Sequence, residues 1–486
     1  MRRGFIENCE REQLHLSGAI QGHGALVRFD GTGRITHASA NLRSILGMDA
    51  ESVLGADLGV LELPDIAPIA ATDNRTRRQS VVRHGVVLSV LAITGADDGV
   101  LVELIPQPRA VADNPYASYA RHSRTPADEA ALRSAQEELV AEVARRTGYE
   151  RVMYYRFHPD GHGEVIAEAR NGDAYGSYLG LRFPASDIPS VARALYLKNP
   201  WRMIPDATAD SVPLLSRSAD PVDLTRSDLR SVSEVHRAYL ANMGVRSALS
   251  FPVAAGDSLE ALISCHHSAA QEPDVGLLVE LGSLVTAHAV GYVSYRAGQR
   301  MRLVDGLSRR FRDIAELIEN ADGVDDVWPV LGPRLVSEFD ADGAMLCVGD
   351  DIYSVGEGFD DDTLARVEEV SLGHGAVVWH SDSLSRDIDG LLLTPVAGAA
   401  GVLVEVPMGD AVRVWVTRSE FIDEVSWGGN PDKPVEPGLG DEPISPRRSF
   451  ETWVERRLGY SRPWPTETEL LLRQLRTAIG PLAARS

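Results

Sequence analysis

Two prolines bracket one carboxylate in the stretch Phe183-Pro184-Ala185-Ser186-Asp187-Ile188-Pro189. Each proline fixes its own φ and biases the residue before it away from the helical region, so a stiff, extended segment is predicted. The spacing of apolar residues over 190–199 then predicts a helix. From spacing alone, Asp187 either caps this helix near its positive end or presents its backbone and carboxylate to a ligand that carries N–H donors.

Composition excludes several classes of protein. A chain of 486 residues with 44% hydrophobic residues has room for about three domains with sizeable cores. A formal net charge of −22 argues against a nucleic-acid partner. No run of about 18 apolar residues predicts a membrane span, and residues 1–12 lack the apolar core of a signal peptide. The expected location is therefore the cytoplasm.

Three cysteines, Cys9, Cys265 and Cys347, are too few for a disulfide framework, and no pair has the spacing of a zinc site. No metal site is predicted. Cys265 lies on an apparent core strand and is predicted to be a buried, inert thiol.

The first domain is predicted over residues 1–105, with a turn at Asp30-Gly31-Thr32-Gly33 between strands, a short helix at 41–46, and further strands within 80–91 and 99–105. This order resembles a PAS domain. Four prolines predict a linker over 106–128. An amphipathic helix is predicted over 127–146.

Cys9 has two interpretations: an ordinary thiol on a loose terminus, or a nucleophile that forms a thioether with a ligand. Its neighbours Arg11, Glu10 and Glu12 do not decide between them. The sequence Asn8-Cys9-Glu10-Arg11-Glu12, followed by Ile20-Gln21-Gly22-His23-Gly24, resembles the N-terminus of bacterial phytochromes. There this cysteine binds a vinyl side chain of biliverdin. The resemblance thus implies biliverdin IXα in covalent thioether linkage to Cys9. Relatives usually have proline where this chain has Gly22.

The second domain, predicted over 129–300, has strand-like segments at 149–157 and 164–168 before the stretch at 183–189. Further strands are predicted at 246–253 and 262–267. This pattern resembles a phytochrome GAF domain. The implied fold class is α+β: PAS, GAF and PHY domains with antiparallel sheets joined by long helices, and the N-terminal segment threaded through GAF in a figure-of-eight knot.

The resemblance implies the polar contacts of the chromophore. The main-chain carbonyl of Asp187 accepts hydrogen bonds from pyrrole N–H groups, and its carboxylate faces the outer ring. His236 lies over the inner nitrogens and holds a water, while His266 hydrogen-bonds the carbonyl of the far ring. The other implied contacts are Arg202, Arg230, Tyr196 and Ser233 to one propionate, Ser250 to the other, and Ile188 and Ile20 elsewhere in the site.

Tyr155, Phe183 and Tyr239 are implied to form the wall around the far ring. A flat tetrapyrrole with two propionates needs such aromatic walls, a central acceptor, and cations or hydroxyls at the rim. Taken singly, an arginine is more often a surface charge and an aromatic more often a core residue, and His236 could be a satisfied histidine. Ala248 stands where relatives often have a hydroxyl for a propionate.

A long helix is predicted from Val275 to about Ala321. A helix of this length usually bridges domains or pairs with another helix, so a homodimer along the long GAF and PHY helices is predicted. The alternative is that both halves pack only within their own domains. The third domain, predicted over 301–486, resembles a PHY domain. Its Gly- and Pro-rich stretch within about 411–455 resembles the PHY tongue, with Trp427 at one end. The resemblance implies that Arg447 pairs with Asp187 in the dark and that Ser449 replaces it after light.

The sequence therefore predicts a red/far-red photoreceptor fragment that photoisomerises biliverdin and signals through its tongue and helices to an output domain or response regulator absent from this chain. The fragment itself is not expected to be an enzyme. One alternative is a tetrapyrrole or small-ligand sensor without photochemistry. Another is an enzyme that reduces oxidised methionine through cysteines, although no cysteines are paired in the sequence.

Overall fold

The structure is a computed structural model that describes residues 12–62, 75–83, 86–95, 99–107, 116–171, 176–217, 220–373, 377–391, 395–404, 411–429, 452–465 and 467–483. The chain divides into two compact units. The first comprises residues 1–295 and 426–453, and the second comprises 296–425 and 454–486. The finer domain bounds predicted from the sequence remain predictions.

A seven-stranded sheet occupies the N-terminal part of the first unit, in the order β1-β11-β3-β2-β6-β5-β4. Its strands are β1 (Ala19–Ile20), β2 (Ala25–Phe29), β3 (Ile35–Ser39), β4 (Arg75–Arg83), β5 (Val86–Thr94), β6 (Val100–Gln107) and β11 (Val212–Ser216). Successive side chains of β5 and β6 point to opposite faces of the sheet. Val90 and Val102 lie in the hydrophobic core on one face, and Leu91 and Leu101 lie in the core on the other. The sheet is therefore buried on both faces. The region predicted to be strand at 80–91 is divided between β4 and β5.

Four helices lie in the N-terminal half of the first unit. They are α1 (Leu42–Leu46), α2 (Ala50–Val53), α3 (Tyr116–His122) and α4 (Glu129–Thr147). Asp128 caps α4 by accepting a bond from the Ala131 N–H at 2.8 Å, and Gly148 ends it with a φ of +72°. The predicted helices at 41–46 and 127–146 are thus confirmed. Helix α3 lies inside the segment predicted to be a linker.

The N-terminal segment lies against residues far along the chain. The N–H of Leu214 donates to Gly18 O at 3.0 Å, and the N–H of Ser231 donates to Ala19 O at 3.1 Å. Gln21 N–H donates to Leu229 O at 2.7 Å. The segment is therefore fixed to β11 on one side and to residues 229–231 on the other. The figure-of-eight knot itself remains a prediction.

An eight-stranded sheet follows in the order β10-β12-β13-β7-β8-β9-β19-β20. Its strands are β7 (Arg151–Phe157), β8 (Gly163–Arg170), β9 (Arg182–Phe183), β10 (Arg202–Ile204), β12 (Ser247–Ala255), β13 (Ser258–His267), β19 (Asp423–Gly428) and β20 (Thr452–Arg457). The β12–β13–β7–β8 pairs are antiparallel, whereas β19 joins β9 in parallel. Val152 and Tyr154 enter the large core, while Met153 and Tyr155 point to the opposite face.

Three helices accompany this sheet: α5 (Ser190–Tyr196), α6 (Glu234–Asn242) and α7 (Val275–Glu319). Helix α5 ends three residues before the predicted end at 199. Helix α7 runs for 45 residues, which confirms the predicted long helix. It contains an 18-residue window with a mean hydropathy of 1.4, and 56% of that window is buried within the fold. Core packing of Leu278, Leu281 and Leu284 explains this apolar window.

The second unit is built on a five-stranded antiparallel sheet in the order β15-β14-β18-β17-β16. Its strands are β14 (Gly343–Val348), β15 (Asp351–Gly356), β16 (Val378–Ser381), β17 (Val396–Val404) and β18 (Val412–Ser419), and its helices are α8 (Val324–Glu338), α9 (Asp361–Gly373), α10 (Leu384–Asp387) and α11 (Thr468–Ala483). The predicted class, α+β with antiparallel sheets, is confirmed.

Arg418 of β18 joins three segments of the second unit. Its buried guanidinium donates to the carbonyl of Pro463 at 2.7 Å and to that of Phe339 at 2.8 Å. It also lies 3.9 Å from the ring centroid of Trp464. The end of β18 is thereby fixed to the segment after β20.

Candidate functional site

The stretch at 183–189 forms a short 3-10 turn over Ala185–Asp187, in which the Asp187 N–H donates to Pro184 O at 3.0 Å. Helix α5 begins at Ser190 with Pro189 at its N-cap. The Asp187 carboxylate does not cap α5. Its Oδ2 accepts a hydrogen bond from the Tyr239 hydroxyl at 2.8 Å. The helix-cap interpretation is therefore wrong, and the prolines place this carboxylate opposite α6.

Aromatic side chains of β7 and β9 form one wall beside this turn. The rings of Tyr155 and Phe183 have centroids 5.9 Å apart, and Tyr178 meets Phe183 edge to face at 5.8 Å. The backbone of Gly163 lies against the Tyr155 ring, since a Cβ at this position would be 1.9 Å from Tyr155 Cζ. Tyr239 instead stacks on His236 with centroids 6.1 Å apart.

Two histidines predicted for the site lie near each other. His236 is on α6, where its backbone N–H donates to Oγ of the N-cap residue Ser233 at 3.2 Å. His266 lies on β13 opposite Ala248 of β12. Burial, aided by the charge of Arg202, lowers the pKa of His236 to about 4. Burial, then Arg151 and then His236, lower the pKa of His266 to about 3, so both rings are neutral at physiological pH.

His266 has one nitrogen that no described group satisfies. Its Nδ1 is shielded from solvent and has no hydrogen-bond partner among the described residues, while its Nε2 lies 3.3 Å from Ser264 Oγ. A buried, unsatisfied polar atom is costly unless a ligand or water completes it. His23 Nε2, three residues after the predicted contact Ile20, is also shielded from solvent and has no hydrogen-bond partner among the described residues.

Two arginines form a cationic rim. Arg202 of β10 donates to the carbonyls of Arg230 and Ser231 at 2.7 and 3.0 Å. Burial, and then the neighbouring Arg230, lower the pKa of Arg202 to about 9. Tyr196 acts electrostatically on both guanidinium groups. Two adjacent buried cations favour a bound carboxylate.

The smaller predicted contacts join this rim. Ser250 of β12 lies directly opposite Arg202 of β10. Ile20 is fully buried and bridges Arg230 in an antiparallel pair. Ile188 is partly buried and packs against the aromatic wall. Every predicted site residue of the GAF region therefore lies in this part of the first unit.

These side chains lie together in the first unit. His236, His266 and Arg202 each retain accessible surface, and desolvation is the main cause of their lowered pKa values. The group combines an aromatic wall, neutral imidazoles and paired cations, which suits a flat, apolar ligand that carries carboxylates. The donor set fits a linear tetrapyrrole.

Trp427 of the predicted tongue lies at the edge of this domain. It pairs with Arg182 across β19 and β9, is 2% exposed, and meets His162 edge to face at 5.0 Å. Gly428 approaches the aromatic wall so closely that a Cβ there would be 2.6 Å from Phe183 Cε1. The predicted residues Cys9, Arg447 and Ser449 lie outside the described residues.

Glu103, a fully buried carboxylate on β6, was not predicted from the sequence. It accepts hydrogen bonds from the Ser227 hydroxyl, from Asp228 N–H at 3.2 Å and from Leu229 N–H at 3.4 Å. Glu103 therefore fixes the segment that leads into Arg230. More than a hundred residues separate the partners, so no local motif connects them.

The cysteines within the described residues are not nucleophiles of this site. Cys265 is buried, as predicted, and burial raises the pKa of its thiol well above the usual range. Burial also raises the pKa of Cys347 to about 11. Among the described residues, no group of three His, Cys, Asp or Glu side chains is placed to hold a metal ion.

Comparisons with known proteins agree with this order of folds. Family models match the PAS fold at residues 9–103, the GAF domain at 131–288 and the phytochrome region at 307–486. The chain is similar to a crystal structure of a bacteriophytochrome from the photosynthetic bacterium R. palustris, with a TM-score of 0.82, 28% identity, and coverage of 98% of this chain and 99% of that one. It is also similar to the photosensory core module of the Stigmatella aurantiaca phytochrome, with a TM-score of 0.80, 28% identity, and coverage of 99% and 98%.

Curated relatives include a bacteriophytochrome of Pseudomonas aeruginosa, 31% identical over 96% of this chain and 65% of the relative. A bacteriophytochrome of Xanthomonas campestris pv. campestris is 30% identical over 94% of this chain and 76% of the relative. A PAS fold, a GAF domain and a phytochrome region in this order define the phytochrome class. The chain belongs to the bacteriophytochrome family. It spans just under two thirds of the Pseudomonas relative.

Proposed function

We propose that this chain is the photosensory part of a red/far-red light receptor that binds biliverdin IXα, with Cys9 as the point of covalent attachment. The observation that carries the proposal is that paired, desolvated cations, neutral imidazoles and an aromatic wall lie together in the first unit. The family membership supports the same ligand class.

Within this site the rim residues hold the carboxylates. Arg202 and Arg230, with Tyr196 and Ser233, bind one propionate, because two desolvated guanidinium groups gain most from a facing anion. Ser250 contributes to the other propionate, opposite Arg202. Ala248 adds no hydroxyl there, so the second propionate has fewer partners.

The central and far-ring contacts come from the Asp187 turn, α6 and β13. The Asp187 carbonyl accepts from inner N–H groups beneath His236, and Ile188 and Ile20 add apolar contacts. His266 offers a neutral imidazole to the carbonyl of the far ring, which Tyr155, Phe183 and Tyr239 enclose. His266 Nδ1, which no described residue satisfies, supports a ligand at this end.

Switching depends on contacts that differ between two states. When bound, the bilin supplies a Z/E isomerisation at the bridge before its last ring. The Asp187 carboxylate exchanges Arg447 for Ser449, and the tongue segment carrying Trp427 changes its pairing with β9. The close approach of Gly428 to Phe183 gives a direct mechanical link between the pocket wall and this segment.

We also propose that the chain acts in the cytoplasm as a homodimer along α7 and carries no enzyme activity of its own, passing its signal to an output domain or response regulator. In the part of α7 that belongs to the first unit, Val290 and Val293 are exposed and, at 100° per residue, lie about 60° apart. An apolar stripe of this kind suits a helix partner. A monomeric mass by sedimentation at micromolar protein would contradict the dimer.

Covalent attachment is tested by mixing the apoprotein with biliverdin and staining the denatured protein for zinc-dependent bilin fluorescence. The wild type is expected to give a fluorescent band, and Cys9→Ala is expected to lose it. Cys347→Ala, which removes a buried thiol far along the chain, should keep the band. Fluorescence that persists in Cys9→Ala and disappears in Cys265→Ala would overturn the assignment.

A further inference from the structure

Arg151 lies at the end of the site without a role in the contacts described so far. It is buried on β7 and pairs directly with His266 across the antiparallel β7–β13 ladder. Directly opposed residues project to the same face with Cβ atoms about 4.5–5.5 Å apart. Arg151 and His266 therefore project from the same face of the sheet, and the charge of Arg151 acts on the His266 imidazole.

The guanidinium is fixed in this position from several sides. Arg151 Nε lies 3.0 Å from Glu168 Oε1, with side-chain exposures of 7% and 4%. Its Nη2 donates to Gly176 O at 2.7 Å, and its Cζ lies 3.9 Å from the ring centroid of Tyr178. A cation held this way cannot rotate away to relieve repulsion from a neighbouring charge.

Glu168 also accepts hydrogen bonds from the loop that leads to the aromatic wall. Its carboxylate accepts from the Ser177 hydroxyl at 2.5 Å and from Tyr178 N–H at 3.2 Å. Tyr178 then packs edge to face on Phe183. The Arg151–Glu168 pair thus connects the strand of His266 to the wall around the far ring.

The charged and titratable groups acting on His266 are Arg151 from β7 and His236 from α6, with Glu168 of β8 behind Arg151. A fixed positive charge opposes the appearance of a second one nearby. We propose that Arg151 is a positioning residue that keeps His266 neutral and able both to donate and to accept a hydrogen bond at the far end of the pocket. The role for the chromophore rests on the proposed function, but the effect on His266 does not.

The test measures the protonation of His266 by NMR in chromophore-free protein with 15N-labelled histidine, with His266→Gln to assign the signal. One variant pair, Arg151→Gln with Glu168→Gln, removes both charges and nearly preserves shape. A second, Arg151→Glu with Glu168→Arg, places a carboxylate opposite His266. The matched control is Arg156→Gln with Glu164→Gln, an ion pair at 2.8 Å elsewhere on the same hairpin.

The midpoint of His266 protonation is expected to rise by about one pH unit in the neutral pair and about two in the exchanged pair. It should stay at the wild-type value in the control. Equal midpoints in the neutral pair and the wild type would overturn the proposal. If the exchanged pair does not fold, the neutral pair still decides the question. If the wild type does not bind biliverdin, the proposed function is wrong. The predicted order of the His266 midpoints in the wild type and the variants would still hold.

Discussion

Asp187→Ala is expected to bind biliverdin but to accumulate about tenfold less photoproduct than the wild type under the same light. The Asp187 carboxylate is the proposed partner of Arg447 before light and of Ser449 after it. The hydrogen bond to Ser449 involves a charged group and is worth about 1.5–3 kcal/mol. A photoproduct that lacks it is expected to revert faster, by about tenfold for each 1.4 kcal/mol lost, so less of it accumulates. The measurement is the far-red absorbance at the photostationary state.

Tyr239→Phe is the matched control, because it removes the 2.8 Å hydrogen bond to Asp187 Oδ2 and keeps the carboxylate. This variant should retain most of the photoproduct. Equal losses in both variants would assign the effect to the Tyr239 contact instead of the tongue. A wild-type photoproduct yield in Asp187→Ala would contradict the exchange of partners.

Gly163→Ala is expected to lower the free energy of unfolding of the first unit by about 1–3 kcal/mol, the usual cost of overpacking. The added Cβ would lie 1.9 Å from Tyr155 Cζ, and that ring is buried between Phe157 and Phe183. Tyr155 must therefore move, which deforms the wall of the site. Biliverdin binding should weaken together with thermal stability.

Gly22→Ala provides the control for this change. A Cβ at Gly22 would make only an ordinary contact, 3.7 Å from Val212 Cγ2, in the same unit. Its unfolding midpoint in a thermal melt should match the wild type. A Gly163→Ala protein that melts and binds like Gly22→Ala would mean that the Tyr155 ring has room to rotate.

Local patterns were sufficient to predict much of this fold. The helices at 41–46 and 127–146, the long helix from Val275, and the strands within 246–267 follow from apolar periodicity and turn residues. The residues of the Asp187 stretch, the two arginines and the two histidines were identified through a motif resemblance, and the structure brings them into one part of the molecule.

Other features depend on contacts between distant segments. Glu103 of β6 meets Ser227 in a loop more than a hundred residues away, and Arg151 pairs with His266 through strand register that the sequence does not specify. Spacing alone left two interpretations of Asp187 open. The two prolines give the carboxylate its own short turn, and tertiary contact with Tyr239 decides where it points, so the structure rules out the helix cap.

The central claim, that this chain is a light receptor, is tested most directly by the absorption spectrum of the biliverdin-loaded protein before and after red light. A red band that converts reversibly to a far-red band is the expected result. A bound bilin whose spectrum does not change under illumination would contradict photoreception and favour a tetrapyrrole sensor without photochemistry.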